Sequence, residues 1–231
     1  MDNEFSIQEE SRPLIDLQWI LSHLQGDGGI IHVFLQHLIL SLVPVAIALA
    51  ISVPIGILAH RQRWLYAPAT AITGVLYTIP SLAFFVMLIP IMGTGRPPVL
   101  VALTAYSLLI LIRNVVTGLD SVPEDTKDAA RGMGLTNRQI LLGVEFPLAL
   151  PVIVAGIRIA TVTVVGIASI ADFVGAGGLG DLIFDGISRQ FLTPILVGAV
   201  LVALIAIAAD VGLYRVEGWL RPWARRAGKA A

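Results

Sequence analysis

The chain contains no cysteine in 231 residues, which excludes disulfides, thiolate metal sites and a cysteine nucleophile. Its histidines, His23, His32, His37 and His60, lack the spacing of a metal centre, and no metal is expected. There is no phosphate-cradling Gly-Lys-Ser/Thr loop, no catalytic-triad signature and no paired-carboxylate site, so no catalytic residue is assigned. Charge is scarce as well: Asp, Glu, Lys and Arg make up 13% of the residues against 56% hydrophobic ones. The mean hydropathy is +0.86. Such a composition lies beyond the roughly 45–50% apolar usage of soluble domains, and the chain is read as an all-α integral membrane protein.

Where charge is missing for long enough, a helix can cross a bilayer. No Asp, Glu, Lys or Arg occurs between Asp27 and Arg61, nor between Arg63 and Arg96. Each window exceeds the ~20 apolar residues that a spanning helix needs. The pattern predicts about five transmembrane helices, near 33–59, 67–92, 99–118, 151–174 and 194–214. Pro44 and Pro54 are tolerated in the first, because neighbours or water satisfy freed carbonyls in a bundle; Pro80 is expected to kink the second.

Residues 1–32 form an acidic tail, with Asp2, Glu4, Glu9, Glu10, Asp16 and Asp27 against Arg12 alone, and a short amphipathic piece near 14–24. The tail lacks the basic start, apolar centre and small-residue cleavage site of a signal peptide, so the first hydrophobic helix is expected to be retained. Residues 216–231 form a basic tail. With the N-terminus outside, ten bases fall on inner segments (Arg61, Arg63, Lys127, Arg131, Arg138, Arg215, Arg221, Arg225, Arg226, Lys229) and three on outer ones (Arg12, Arg96, Arg189). The positive-inside rule then puts the central loop and the C-terminus in the cytoplasm.

That loop, residues 121–150, is the one long polar segment between apolar runs. Ser121 and Glu124 have capping-box spacing, and Pro123 fits a first helical turn. Gly132 and Gly134 supply permissive backbone to end that helix. Thr136 and Gln139 repeat the capping spacing, and Pro147 is expected to break the second helix after Phe146. A helix, a glycine turn and a helix make a knob shaped to sit against a partner; a purely structural hairpin is the plainer reading. The turn also matches the spacing of a DNA-binding helix-turn-helix, but its bases are balanced by acids and it lies between two spans, so nucleic acid is not expected as a partner.

Within the loop, Asp128-Ala129-Ala130 is followed after three residues by Gly134, after nine more by Val144, and then by Phe146 and Pro147. This resembles the EAA loop of ABC importer permeases, with Asp128, Val144 and Phe146 standing for the pattern's Glu, Ile and Leu. Further stretches are YTIPSLA (77–83), YSLLILIRN (106–114), PLALPVIVAGIR (147–158) and IADFVGAGGLGD (170–181). Together they resemble the permeases of osmoprotectant importers for glycine betaine, carnitine and choline. The resemblance implies a type I ABC importer permease fold over residues 33–215, multi-pass in the bacterial plasma (inner) membrane, with a cytoplasmic coupling helix in the loop. It implies as partners a cytoplasmic ABC ATPase dimer, a second permease subunit, identical or related, an extracytoplasmic solute-binding protein and membrane lipid. No cofactor is expected on this chain; ATP and Mg belong to the ATPase. Alternating access is the implied mechanism. Other readings stand beside it: an importer of another small solute such as an amino acid, a secondary transporter, which would need mid-membrane carboxylates, or a channel, which needs no docking loop.

Candidate pathway or gate residues are Tyr77, Pro80, Ser81, Phe84, Tyr106, Arg113, Asn114, Asp172, Gly175, Gly177, Gly178 and Gly180. The aromatics offer faces to a quaternary ammonium by cation–π attraction, or simply pack. Arg113 and Asn114 are candidates to line an inner cavity. Asp172 is read as a pathway group or an exposed end residue, and the glycine run as a flexible outer gate or a plain turn. The G-x-G-x-x-G match at 175–180 follows no strand, so a dinucleotide site is rejected. Arg158 and Asp210 are expected to snorkel towards the inner surface.

Overall fold

In the absence of water a backbone must satisfy its own hydrogen bonds, and the uncharged windows accordingly fold as helices. The computed structural model describes residues 15–26 and 28–220. The tail acids Asp2, Glu4, Glu9, Glu10 and Asp27, with Arg12, and the C-terminal bases from Arg221 onward lie outside the described residues. A short helix α1 (Leu17–Ser22) is capped by the Asp16 carboxylate, which accepts from the Trp19 N–H at 3.0 Å. Then follow α2 (Ile30–Arg61), α3 (Tyr66–Thr78), α4 (Ser81–Met92), α5 (Arg96–Asp120), α6 (Glu124–Gly132), α7 (Asn137–Ile140), α8 (Phe146–Ala168), α9 (Leu179–Ser188) and α10 (Leu192–Trp219). Among the described residues there is no strand.

The centre of the bundle is α5, clasped by α2 and α8, with α3 and α4 against it; α10 packs on α8 and α9 at the periphery. Within its apolar window α5 is 61% buried, whereas α10 is only 22% buried. Small residues let the helices approach closely. A Cβ on Gly56 would lie 2.5 Å from Val115 Cγ1, one on Gly156 would lie 2.5 Å from Asn114 Cγ, and one on Gly118 would lie 3.0 Å from the Ala149 carbonyl oxygen.

Four helical stretches are long and apolar enough to span: Ile30–Arg61, Arg96–Asp120, Asn137–Ala168 and Leu192–Trp219. Between the first two, α3 and α4 are bent by 98°, a break rather than the kink expected at Pro80. Pro80 has no N–H and biases its predecessor to extended backbone, and Ile79 is extended at φ −67, ψ 128. Contacts at the helix ends decide whether this broken pair crosses. His60, at the end of α2, and Arg63, in the turn just beyond it, meet the Asp120 carboxylate at the end of α5, at 2.6 and 2.7 Å. At the opposite end, the Gly95 N–H donates to the Val174 carbonyl at 2.7 Å. The C-terminal ends of α2 and α5 therefore share one side, and α3–α4 must carry the chain from that side to the other. It is a fifth crossing.

Three sequence expectations are corrected. Ser121 does not cap α6; its hydroxyl donates back to the Gly118 carbonyl at 2.7 Å, and Pro123 occupies the cap position. Pro147 does not break the second loop helix, which runs on into α8 through a π-helical turn at Leu141–Glu145. A π turn accommodates the carbonyl that a proline leaves unbonded. The fourth span consequently starts earlier than 151 and ends at Ala168, leaving Asp172 in a 3-10 turn (Ala171–Val174).

Candidate functional site

The central loop forms the expected knob. Thr136 and Gln139 make a reciprocal capping box at the start of α7. Gly134, at φ 83, donates to the Arg131 carbonyl at 2.9 Å, and Leu135 reaches back to Ala130 at 3.2 Å. This left-handed close of a helix favours glycine. Gly132, by contrast, is simply the last residue of α6. Lys127 and Ala130 are buried, while Asp128, Ala129 and Gly134 are exposed. Arg131 holds Glu124 at 2.9 Å and Asp128 at 2.6 Å, and Lys127 holds Glu124 at 2.9 Å. The Glu124 carboxyl is held below its ordinary pKa by Lys127 first and Arg131 second.

The far side of the knob is anchored to the bundle. Phe146 packs against the cluster of Val115, Leu119 and Ile153. Val144 lies half-buried in the π turn, and Pro147 opens α8. His60 comes within 3.8 Å of Glu145, and Arg61 donates to the Asn137 carbonyl at 3.2 Å. The outward side exposes Met133 and Leu142 and a groove of ≈ 670 Å³ lined by Leu135, Thr136, Arg138, Gln139 and Gly143.

The aromatic candidates converge on the break. The Tyr106 hydroxyl donates to the Ile79 carbonyl at 2.6 Å. Tyr77 and Phe84 each meet the Tyr106 ring edge-on at 5.7 Å. Pro80 and Ser81 stand at the turn itself. Arg113 is exposed on α5, apart from this group. Asn114 is half-buried: Gly156 packs on it at the α5–α8 crossing, and its amide donates to the Ile110 carbonyl at 2.8 Å.

Three of the four glycines in the run, Gly177, Gly178 and Gly180, are closely packed, and Gly175 is open. Gly175, Gly177 and Gly178 all have positive φ. Gln36 of α2 sits where a Gly177 Cβ would fall and accepts from the Gly178 N–H at 3.0 Å; a Cβ on Gly180 would collide with the Ser169 carbonyl. Buried His37 reaches the Val165 carbonyl at 3.1 Å and accepts from Leu179 at 3.4 Å, joining α2, α8 and α9. Burial pushes the Asp172 carboxyl up against the opposing bond from Gly177. Burial also raises Asp181, reinforced by Asp172 and Asp185.

Sequence reasoning missed one constellation. Arg158 of α8 stands in an ion-pair network: its Nε and a terminal nitrogen donate to Asp210 Oδ1 at 3.0 and 2.8 Å, and the other terminal nitrogen to Glu217 at 3.0 Å. The Tyr214 ring lies 5.0 Å from the guanidinium carbon. Asp210, Tyr214 and Glu217 repeat at helical spacing on one face of α10, a signal available in the sequence.

Comparison with known proteins fits this architecture. The family described as "Binding-protein-dependent transport system inner membrane component" matches residues 52–222. The chain belongs to that family. It is 41% identical over 204 residues to the osmoprotectant import permease protein OsmW of Salmonella typhimurium, covering 86% of this chain and 95% of that one. It is 43% identical over 197 residues to the glycine betaine/carnitine/choline transport system permease protein OpuCD of Bacillus subtilis, covering 85% and 84%. The fold is similar to the inward-facing MetNI methionine ABC transporter, with TM-score 0.69, 27% identity, and coverage of 81% and 95%. Family and fold together make this a multi-pass inner-membrane component of a transport system, with the type I ABC importer permease architecture.

Proposed function

We propose that the chain is the permease subunit of an ATP-driven importer of osmoprotectants such as glycine betaine, carnitine or choline. The observation that carries this is the named kinship at about 40% identity along most of the chain. Two copies, or this chain and a related one, enclose the pathway. A cytoplasmic ATPase dimer, with its ATP and Mg, docks on the knob formed by α6 and α7, and an extracytoplasmic binding protein delivers solute. The N-terminus faces outward and the C-terminus the cytoplasm, which puts the knob where ATP is. Asp128, Ala129 and Gly134 face the ATPase with Ala130 buried beneath them, while Val144, Phe146 and Pro147 tie the knob to the bundle. Movement of the ATPases reaches α5 through Phe146 and the Asp120–His60–Arg63 contacts. The bundle then alternates between inward and outward openings, because only differential contacts in the two states can couple ATP to transport.

The test is labelled glycine betaine uptake into proteoliposomes holding the chain with its ATPase and binding protein. ATP-dependent uptake suppressed by excess choline or carnitine is the expected result. Hydrolysis without betaine uptake would move the assignment to another solute, an amino acid first, given the likeness to the methionine transporter. Flux indifferent to ATP would refute the importer.

A further inference from the structure

Between α8 and α10 lies a groove of ≈ 560 Å³, walled by Ala155, Ile159, Val162 and Thr163 on one side and Ala206 and Ile207 on the other. Arg158 and Asp210 also line it. Its depth follows from the packing. Gly156 meets Asn114, six residues before the end of α5 at Asp120, so that level lies about 9 Å inside the helix end at 1.5 Å per residue. Arg158 is two residues farther in. Charges at such depth face protein or a water-filled passage, not lipid tails, yet the Asp210 side chain is 43% and that of Arg158 23% accessible. A lipid-facing wall would leave that pair uncovered.

We propose that this groove is a solute subsite on the permeation pathway, with Arg158 taking the carboxylate of a zwitterionic solute and Asp210 its cationic end. The inference rests on the osmoprotectant reading and deepens it. Both bonds from Arg158 to Asp210 end on one oxygen, Oδ1, while Glu217 holds the other arm of the guanidinium. A solute carboxylate can therefore replace Asp210 in the fork of Arg158 without releasing the guanidinium. Asp210 then faces the solute's cation. The exchange leaves the net charge of the groove unchanged, because the entering solute is itself neutral. The apolar walls at Ile159, Val162 and Ile207 suit the methyl groups of a quaternary ammonium, and a few placed polar groups in an apolar cleft are what orient a small ligand.

Two measurements on the complete transporter in proteoliposomes test this. Arg158→Gln should lower glycine betaine uptake at least about tenfold, the effect of one lost charge-assisted hydrogen bond, and uptake of choline, which has no carboxylate, less than about threefold. Equal loss for both solutes overturns the subsite. The second measurement does not depend on the ion pair. In this cysteine-free chain, Ile207→Cys should react with a water-soluble thiol reagent, and excess glycine betaine should slow that reaction at least about threefold. An unreactive or unprotected thiol overturns the inference alone when the wild type still imports betaine. A wild type that imports neither betaine nor choline overturns the osmoprotectant reading and this subsite with it.

Discussion

The α5–α8 crossing offers the sharpest test of the packing. A methyl group added at Gly156 would lie 2.5 Å from Asn114 Cγ, whereas carbon atoms rest at about 3.5–4.0 Å. Asn114 cannot swing clear without losing its bond to Ile110, so α5 and α8 must part by about 1 Å. Overpacking of this kind costs about 1–3 kcal/mol. For a chain of this length each kcal/mol lowers Tm by about 2–4 °C, so Gly156→Ala should lower it by about 2–12 °C. Thermal unfolding of the detergent-solubilised chain, followed by circular dichroism, reads the shift. Asn114→Gly removes the atoms in the way, and the double variant should regain part of the loss. Recovery stays incomplete, because glycine in a helix interior costs about 1 kcal/mol. A silent Gly156→Ala, or two losses that simply add, would show that the crossing is looser than the structure has it.

At Gly134 a Cβ meets nothing within 4 Å, so any effect of substitution comes from its positive φ. Coupled uptake should fall in the order Gly, Asn, Ala, Pro, with alanine about 5–30-fold down for a strain of about 1–2 kcal/mol; a tolerated proline would contradict the turn. Asp181 makes the pH prediction. Its raised pKa means a stabilising contribution that is full below the unfolded-state pKa and lost as pH rises through the folded one. Asp181→Asn should flatten that dependence and raise Tm at neutral pH; a steeper profile in the variant would reverse the sign assigned here.

Much of the architecture was legible because it is written in short-range terms. Uncharged windows long enough to span, the Thr136–Gln139 capping box, and the glycine at 134 all act within a turn or two of chain, and each appears in the structure. Boundaries were less legible. Pro147 looked like a stop because a proline costs a helical bond, but a π turn upstream absorbs the defect. The moderately polar stretch after the glycine run became α9 because its apolar face, Leu179 and Leu182, found α2 and α10 to pack on. The spacing of Leu179 and Leu182 is itself a helical signal, but which elements that face meets is not carried locally.

Composition and periodicity alone therefore determined that the chain is helical, embedded in a membrane, without chemistry on cysteine, and built around one polar knob. Which polar residues work together was decided only by the tertiary structure. Asn114 and Gly156 lie 42 residues apart and Arg158 and Asp210 52 apart, yet the first pair forms a packing contact and the second an ion pair. A charge or amide inside a membrane is tolerated or not according to the partner that meets it, and that partner comes from another helix, set by how the helices cross.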